Sequence, residues 1–134
     1  MEESKWTKVW ESSLDGEYSA VISAASTSPP AFSLMLKRFF NNWTSVICLS
    51  RTEAAWLVAN MKEAQACSYS TTSSAGEVLR KIEVSTIVTK GFIIHKILSI
   101  RKDKNNLSLF VPSWKLDAFI FLVAEAVNRL NQLS

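Results

Sequence analysis

The side chains best suited to chemistry in this 134-residue chain are cations set beside flat aromatic rings. Lys37-Arg38-Phe39-Phe40 runs into Asn41-Asn42-Trp43, and Arg101-Lys102-Asp103-Lys104 runs into Asn105-Asn106. Lys90-Gly91-Phe92 and Phe110 add to the set. Single-stranded nucleic acid asks for this mixture: cations follow the phosphates, while bases stack on aromatic rings for about 1 to 3 kcal/mol each. Adjacent strand residues point to opposite faces, so of Phe39 and Phe40 one must leave the core, and Phe39 is the better stacking candidate. The candidate nucleic-acid-binding residues are therefore Lys37, Arg38, Phe39, Trp43, Lys90, Arg101, Lys102, Lys104 and Phe110. Trp6, Trp10 and Trp114 are open to either stacking or packing.

Nothing comparable points to catalysis. The lone His95 has no Cys or carboxylate spaced to join it in a nucleophile triad or a metal site, and its strand pattern gives it an open-face position with a hydrogen-bonded structural role. Cys48 on a core face and Cys67 at a helix end read as inert thiols. Two cysteines and one histidine are too few soft ligands for a zinc site. The three glycines are isolated, so no phosphate-cradling loop exists. No catalytic residue, metal or cofactor is expected.

Composition narrows the class. With 48% hydrophobic and 20% charged residues, the chain can bury a core as one domain over 1–134. Its net charge is +3, and the excess is lopsided: residues 1–66 carry −1, residues 67–134 carry +4. A basic surface favours an anionic partner. The longest apolar run, Ala118 to Ala124, is stopped by Glu125, far short of the roughly 20 residues of a membrane span. The acidic start Met-Glu-Glu lacks the pattern of a signal peptide, giving the expectation of an intracellular protein, nuclear or cytoplasmic.

Two stretches have helical periodicity. Ser50-Arg-Thr-Glu53 is a capping box, followed by Ala54, Leu57, Val58 and Met61 on one side, which predicts a helix at about 51–66. Pro112-Ser113 offers an N-cap before Leu116, Phe119, Ile120, Val123, Val127 and Leu130, a helix at about 114–132. The remainder alternates as strands: 6–12, 17–25, 31–40, 44–49, 81–89, 92–102 and 107–111. Asp15-Gly16, Asn41-Asn42, Lys90-Gly91 and Asn105-Asn106 mark turns. The Ser/Thr-rich stretch 67–75 reads equally as a strand or a linker.

The second half repeats the grammar of the first. A shift of 64 lays Ser33–Trp43 over Ile97–Leu107, bringing the basic pairs Lys37-Arg38 and Arg101-Lys102 and both Asn-Asn turns together. A shift of 63 then matches Ser50 with Ser113 and Trp56-Leu57 with Phe119-Ile120. These coincidences imply a duplication, with repeat one at 5–66 and repeat two at 67–134. Each repeat is four strands and a helix, an α+β class.

A tandem four-strand-plus-helix unit with a basic hairpin resembles the PUR repeat family of purine-rich-element binders, and more distantly the Whirly-like single-strand binders. The resemblance spans about residues 5–133 and is closest in Arg80-Lys-Ile-Glu-Val-Ser-Thr-Ile-Val-Thr-Lys-Gly-Phe92. It implies two ββββα units intertwined in one pseudosymmetric domain, non-catalytic binding of single-stranded DNA or RNA, and pairing into homodimers. The core faces would then be Tyr18, Ala20, Ile22, Phe32, Leu34, Leu36, Val46 and Cys48, with Ile82, Val84, Leu98, Ile100, Leu109 and Val111. The open faces would hold Met35, Lys37, Phe39 and Ile47, matched by Ser99, Arg101 and Phe110. The alternative is a protein-interaction or oligomerisation module of the same fold. The C-terminal helix supports pairing on its own account, because Phe121 and Leu122 lie off its apolar stripe and need a partner.

Overall fold

The computed structural model describes residues 5–62, 66–101 and 104–133. Two four-stranded antiparallel sheets, each followed by a helix, build the molecule. Sheet 1 holds β1 (Trp6–Leu14), β2 (Tyr18–Ala25), β3 (Ala31–Phe40) and β4 (Trp43–Leu49) in chain order, and α1 (Arg51–Asn60) follows. Sheet 2 holds β5 (Cys67–Thr72), β6 (Val78–Thr89), β7 (Phe92–Arg101) and β8 (Lys104–Pro112). A short 3-10 turn over Ser113–Lys115 leads into α2 (Leu116–Gln132). The α+β class and the tandem ββββα order expected from the sequence are both present. The Ser/Thr-rich stretch is a strand, pairing from Cys67↔Val84 to Thr72↔Val78.

Local signals account for most boundaries. Ser50 Oγ accepts from the Glu53 amide at 3.2 Å and Glu53 Oε1 accepts from the Ser50 amide at 2.9 Å, so the capping box forms as expected. Asn41-Asn42 and Lys90-Gly91 both take positive φ at their two positions, the geometry whose twist matches a tight hairpin. Ser113 does not cap α2: it opens the 3-10 turn, and α2 begins after Lys115 with no side-chain cap.

Two-residue turns also fix which face each strand turns inward, and here two readings of the sequence are corrected. Residues directly opposite in an antiparallel pair share a face. Because Phe40 pairs with Trp43, Leu36 opposes Ile47 and Leu34 opposes Leu49; Ile47 and Leu49 are buried, Val46 is only partly so and Cys48 is exposed. Likewise Thr89↔Phe92 sets Val84 against Ile97 and Ile82 against Ser99. Ile97, Ser99 and His95 are therefore the inward residues of β7, while Leu98 and Ile100 face outward and are partly covered by neighbours. Phe32 packs at the core margin.

The duplication holds at the level of elements but not at the shift read from the sequence. Strand β7 ends at Arg101 and β8 begins at Lys104, with Arg101 paired to Lys104. Asn105-Asn106 thus lies inside β8 and is no turn. The hairpin equivalent to Phe40↔Trp43 is Arg101↔Lys104, a shift of 61, so the basic pairs do not superpose.

One continuous core joins both halves. Helix α2 packs chiefly against β1 and β2, the sheet of the other repeat, and helix α1 meets α2, β3, β4 and β5. Tyr18 sits at the centre, fully buried, its ring edge-on to Phe119 at 5.4 Å and its hydroxyl donating to the Phe110 carbonyl at 2.6 Å. Burial holds its phenol up at about 12. This packing answers the excess of apolar residues on α2: Leu122 is covered within the chain, whereas Phe121 is 73% exposed. No helix among the described residues is long and apolar enough to cross a membrane.

His95 is buried on the inward face of β7, between Thr86 and Val111, and its Nδ1 has no hydrogen-bond partner among the described residues. The open-face position expected from the sequence is thereby corrected. Burial pulls its pKa below the usual value, so the fold favours neutral imidazole. Stability from this group is complete above the unfolded pKa of about 6.5 and falls as acid protonates the unfolded state first. Wild type should thus lose stability between about pH 7 and pH 5.5 more steeply than His95→Leu, up to about 1.4 kcal/mol per pH unit, in denaturant titrations.

Candidate nucleic-acid interface

The β3–β4 hairpin carries the most exposed aromatic group. Two asparagines in left-handed backbone make its turn as tight as possible, projecting Phe40 and Trp43 from the tip and Phe39 from the face away from the helices. Trp43 is 79% and Phe39 48% exposed. Lys37 lies two residues back on the same outer face, partly exposed, with no salt bridge among the described residues. Beyond it on the same face Ser19, Val21 and Ser23 are buried, so the open part of this face is the hairpin end. On sheet 2 the outer face brings Lys96 over the Phe110 ring, with Nζ at 5.9 Å from its centroid. Lys90 stands exposed in the β6–β7 turn. Beside that turn Phe92 meets Trp114 edge-on at 5.5 Å, both largely exposed.

Arg38, by contrast, faces the helix side, opposite Tyr18. Its Nε donates to Glu17 Oε1 at 2.9 Å, and its guanidinium lies 5.5 Å from the Tyr18 ring and 4.9 Å from the Phe40 ring. Lys115 closes on the other Glu17 oxygen. This is a clamp of sheet 1 on the start of α2, and Arg38 is committed to it. The expectation that Arg38 is a free hairpin cation is corrected accordingly.

Arg101 is also displaced from the expected outer face. It opposes Arg80 in an unbroken β6–β7 register, in phase with the inward Ile97 and Ser99; the irregularity between Ser99 and Arg101 lies in the pairing of β7 with β8. Arg80 turns toward α1, where its Nε donates to Glu53 Oε2 at 2.7 Å and a terminal nitrogen contacts Oε1. Arg80 and Arg101 line a cleft of about 430 Å³ between the sheets, together with Trp6, Phe32, Ser33, Cys48, Leu49, Ser50, Glu53, Thr71 and Leu79. Lys102 lies outside the described residues. Lys104 opens β8.

The expected residues therefore fall in separate places. Lys90 and Arg101 mark opposite ends of β7, about 30 Å apart at strand rise. Lys37, Phe39 and Trp43 share one hairpin, and Phe110 shares the outer face of sheet 2 with Lys96. Sequence reasoning missed Lys96 and Arg80. The alternation Lys96, Leu98, Ile100 would have exposed Lys96 once the Lys90-Gly91 turn set the parity; nothing local marks Arg80 as the partner of Glu53. Among the described residues, no group of three or more His, Cys, Asp or Glu could hold a metal ion.

No protein-family model matches the chain, so the PUR resemblance rests on element order and patterning. No curated protein matches it either. Among solved structures, the chain is similar to the crystal structure of WHY1 from Arabidopsis thaliana at 12% identity and a TM-score of 0.41, over 95% of this chain and 86% of that one.

The Glu17 clamp gives a pH-dependent prediction. Burial pushes the Glu17 carboxyl up, but hydrogen bonds from Lys115 and Arg38 outweigh it and hold the pKa below the ordinary value. A depressed carboxyl stabilises the fold above its unfolded pKa of about 4.3 and loses that contribution as pH falls through the folded value. Glu17→Gln should cost about 1 to 3 kcal/mol at neutral pH, with the gap to wild type closing below about pH 4 in denaturant melts.

Proposed function

We infer that the chain binds single-stranded DNA or RNA, without catalysis, on the β3–β4 hairpin and the outer sheet faces. One observation carries this reading: Phe39 and Trp43 stand in solvent on the hairpin that also carries Lys37, a cation with no salt bridge among the described residues. Exposed aromatic rings keep apolar surface in contact with water at a free-energy cost, and a stacked base removes part of that surface from water. Lys90 and the Lys96–Phe110 pair extend the same chemistry onto sheet 2, within the half of the chain that carries net +4. Arg38 acts here as a support for Phe40 and the hairpin base.

Titration with mixed-sequence single-stranded oligonucleotides, followed by tryptophan fluorescence and gel shift over a salt series, tests it. Binding should weaken steeply with salt as phosphates release counterions. Lys37→Ala should flatten the slope by about 0.7. Phe39→Ala and Trp43→Ala should each weaken binding about tenfold with the slope unchanged, because stacking and not charge is lost. Absence of binding by wild type at low salt would end the reading.

A second reading, self-association through α2, is favoured by Phe121. Its ring stands 73% exposed on a helix whose neighbouring residues Ile120 and Leu122 are buried. A twofold contact between two α2 helices would cover it, giving a homodimer that leaves the β3–β4 hairpin available. Light scattering should then give twice the 15.0 kDa chain mass for wild type and the chain mass for Phe121→Glu. A wild type that scatters as a single chain at micromolar concentration would exclude the dimer.

A further inference from the structure

The cleft between the sheets has a charge balance and an aromatic lip that the hairpin site does not use. Sheet 1 contributes Trp6 from β1 and Phe32 from β3; sheet 2 contributes Thr71, Arg80 and Arg101 from three adjacent strands. The register sets Thr71 opposite Arg80 and Arg80 opposite Arg101, so the three stand on one rung across the sheet. Like charges on directly opposed strand residues repel. Glu53 relieves half of that repulsion: it is 3% exposed and takes Arg80 through both of its oxygens. Arg101 remains exposed, with no salt bridge among the described residues. Two guanidiniums and one carboxylate leave the lining with net +1, at a place where an arriving anion gains from both cations.

The charge imbalance is felt inside the pair. Burial first, and then the charge of Arg101, pull the Arg80 guanidinium below its ordinary pKa; an anion beside Arg101 would offset the second of these and not the first. A guanidinium presents a planar fork of donors that matches the oxygens of a phosphate. Across the cleft, Trp6 is 54% exposed and Phe32 partly so, giving flat apolar surface within reach of the same ligand. The volume, about 430 Å³, lies in the range of small-ligand sites.

We propose that this cleft holds one nucleotide of a bound single strand, its phosphate on Arg101 and its base against Trp6 and Phe32. The proposal rests on the nucleic-acid reading above and gives the strand a second grip, distinct from the hairpin. Phe32 and Phe40 mark the two ends of β3, about 25 Å apart. The strand would therefore contact both sheets and lie across the junction of the two repeats.

The test compares Arg101→Gln, Trp6→Ala, Trp6→Phe and Thr71→Glu with the hairpin double variant Lys37→Ala, Phe39→Ala. Binding of labelled mixed-sequence single-stranded DNA is read by anisotropy over a salt series. Arg101→Gln should weaken binding and lower the salt slope by about 0.7, the loss of one phosphate contact. Trp6→Ala should weaken binding about tenfold at constant slope, and Trp6→Phe should recover most of it. Thr71→Glu, an exposed edge-strand change that places a carboxylate on the arginine rung, should weaken binding even if Trp6→Ala disturbs β1. If all four variants bind like wild type while the hairpin double variant does not, the strand avoids the cleft: the proposal falls and the nucleic-acid reading stands. If wild type binds no strand at low salt, both fall.

Discussion

A carboxylate taken out of water must be answered by a cation, and Glu53 imposes that requirement at the junction of the two repeats. It sits in the first turn of α1, where it completes the capping box with Ser50, and it is almost wholly buried. Its partner comes from the other repeat, Arg80 on β6. Removing either partner would leave the other charged and buried, a loss several times larger than that of a surface pair. The start of α1 is thereby pinned to sheet 2, and the orientation of sheet 2 decides where Arg101 points. The helix cap, the inter-repeat contact and the shape of the cleft are consequences of one side chain.

The second tie runs the other way. Helix α2 belongs in sequence to repeat two but lays its apolar face chiefly on β1 and β2. Tyr18, from sheet 1, reaches across to the Phe110 carbonyl on β8 and packs edge-on against Phe119. At the rim of this core, Glu17 draws Arg38 and Lys115 together over the Tyr18 ring. Exchange of contacts between the repeats explains why α2 is apolar around so much of its circumference. One side meets sheet 1, another meets α1, and Phe121 alone among its large apolar side chains is left mostly in solvent.

These two ties sort the cations. Arg38 and Lys115 are spent on Glu17, Arg80 on Glu53, and Lys81 on Glu83 at 2.9 Å. Lys37, Lys90 and Arg101 carry no such pairing among the described residues. A basic protein of this size thus exposes fewer uncommitted charges than its composition implies, and among the described residues three of them lie near aromatic rings: Lys37 by Phe39, Lys90 by Phe92, and Arg101 across from Trp6.

Local chemistry in the sequence determined the elements. The capping box, the Asn41-Asn42 and Lys90-Gly91 turns and period-two alternation are satisfied by neighbours within a few residues, so seven strands, two helices and the α+β order were legible, while the Ser/Thr-rich stretch that forms β5 was left open between strand and linker. Even the facing of β4 and β7 was implicit in the two-residue turns, since pairing Phe40 with Trp43 and Thr89 with Phe92 leaves no freedom of parity. The Asn105-Asn106 turn misled because the hairpin closes earlier, at Arg101↔Lys104, so that Asn105-Asn106 falls in the irregular stretch of β8 before pairing resumes at Ser99↔Leu107. What only the tertiary structure decided was the fate of each charge. Arg38 and Lys37 are adjacent and chemically alike, yet one is clamped to Glu17 and the other faces outward. Glu53 and Arg80 are 27 residues apart, and Arg101 gains its place in a cleft from its pairing with Arg80 across β6 and β7 and from strands of the other sheet. Ion pairing depends on distances set through space by the packing of both repeats, and no spacing along the chain encodes it.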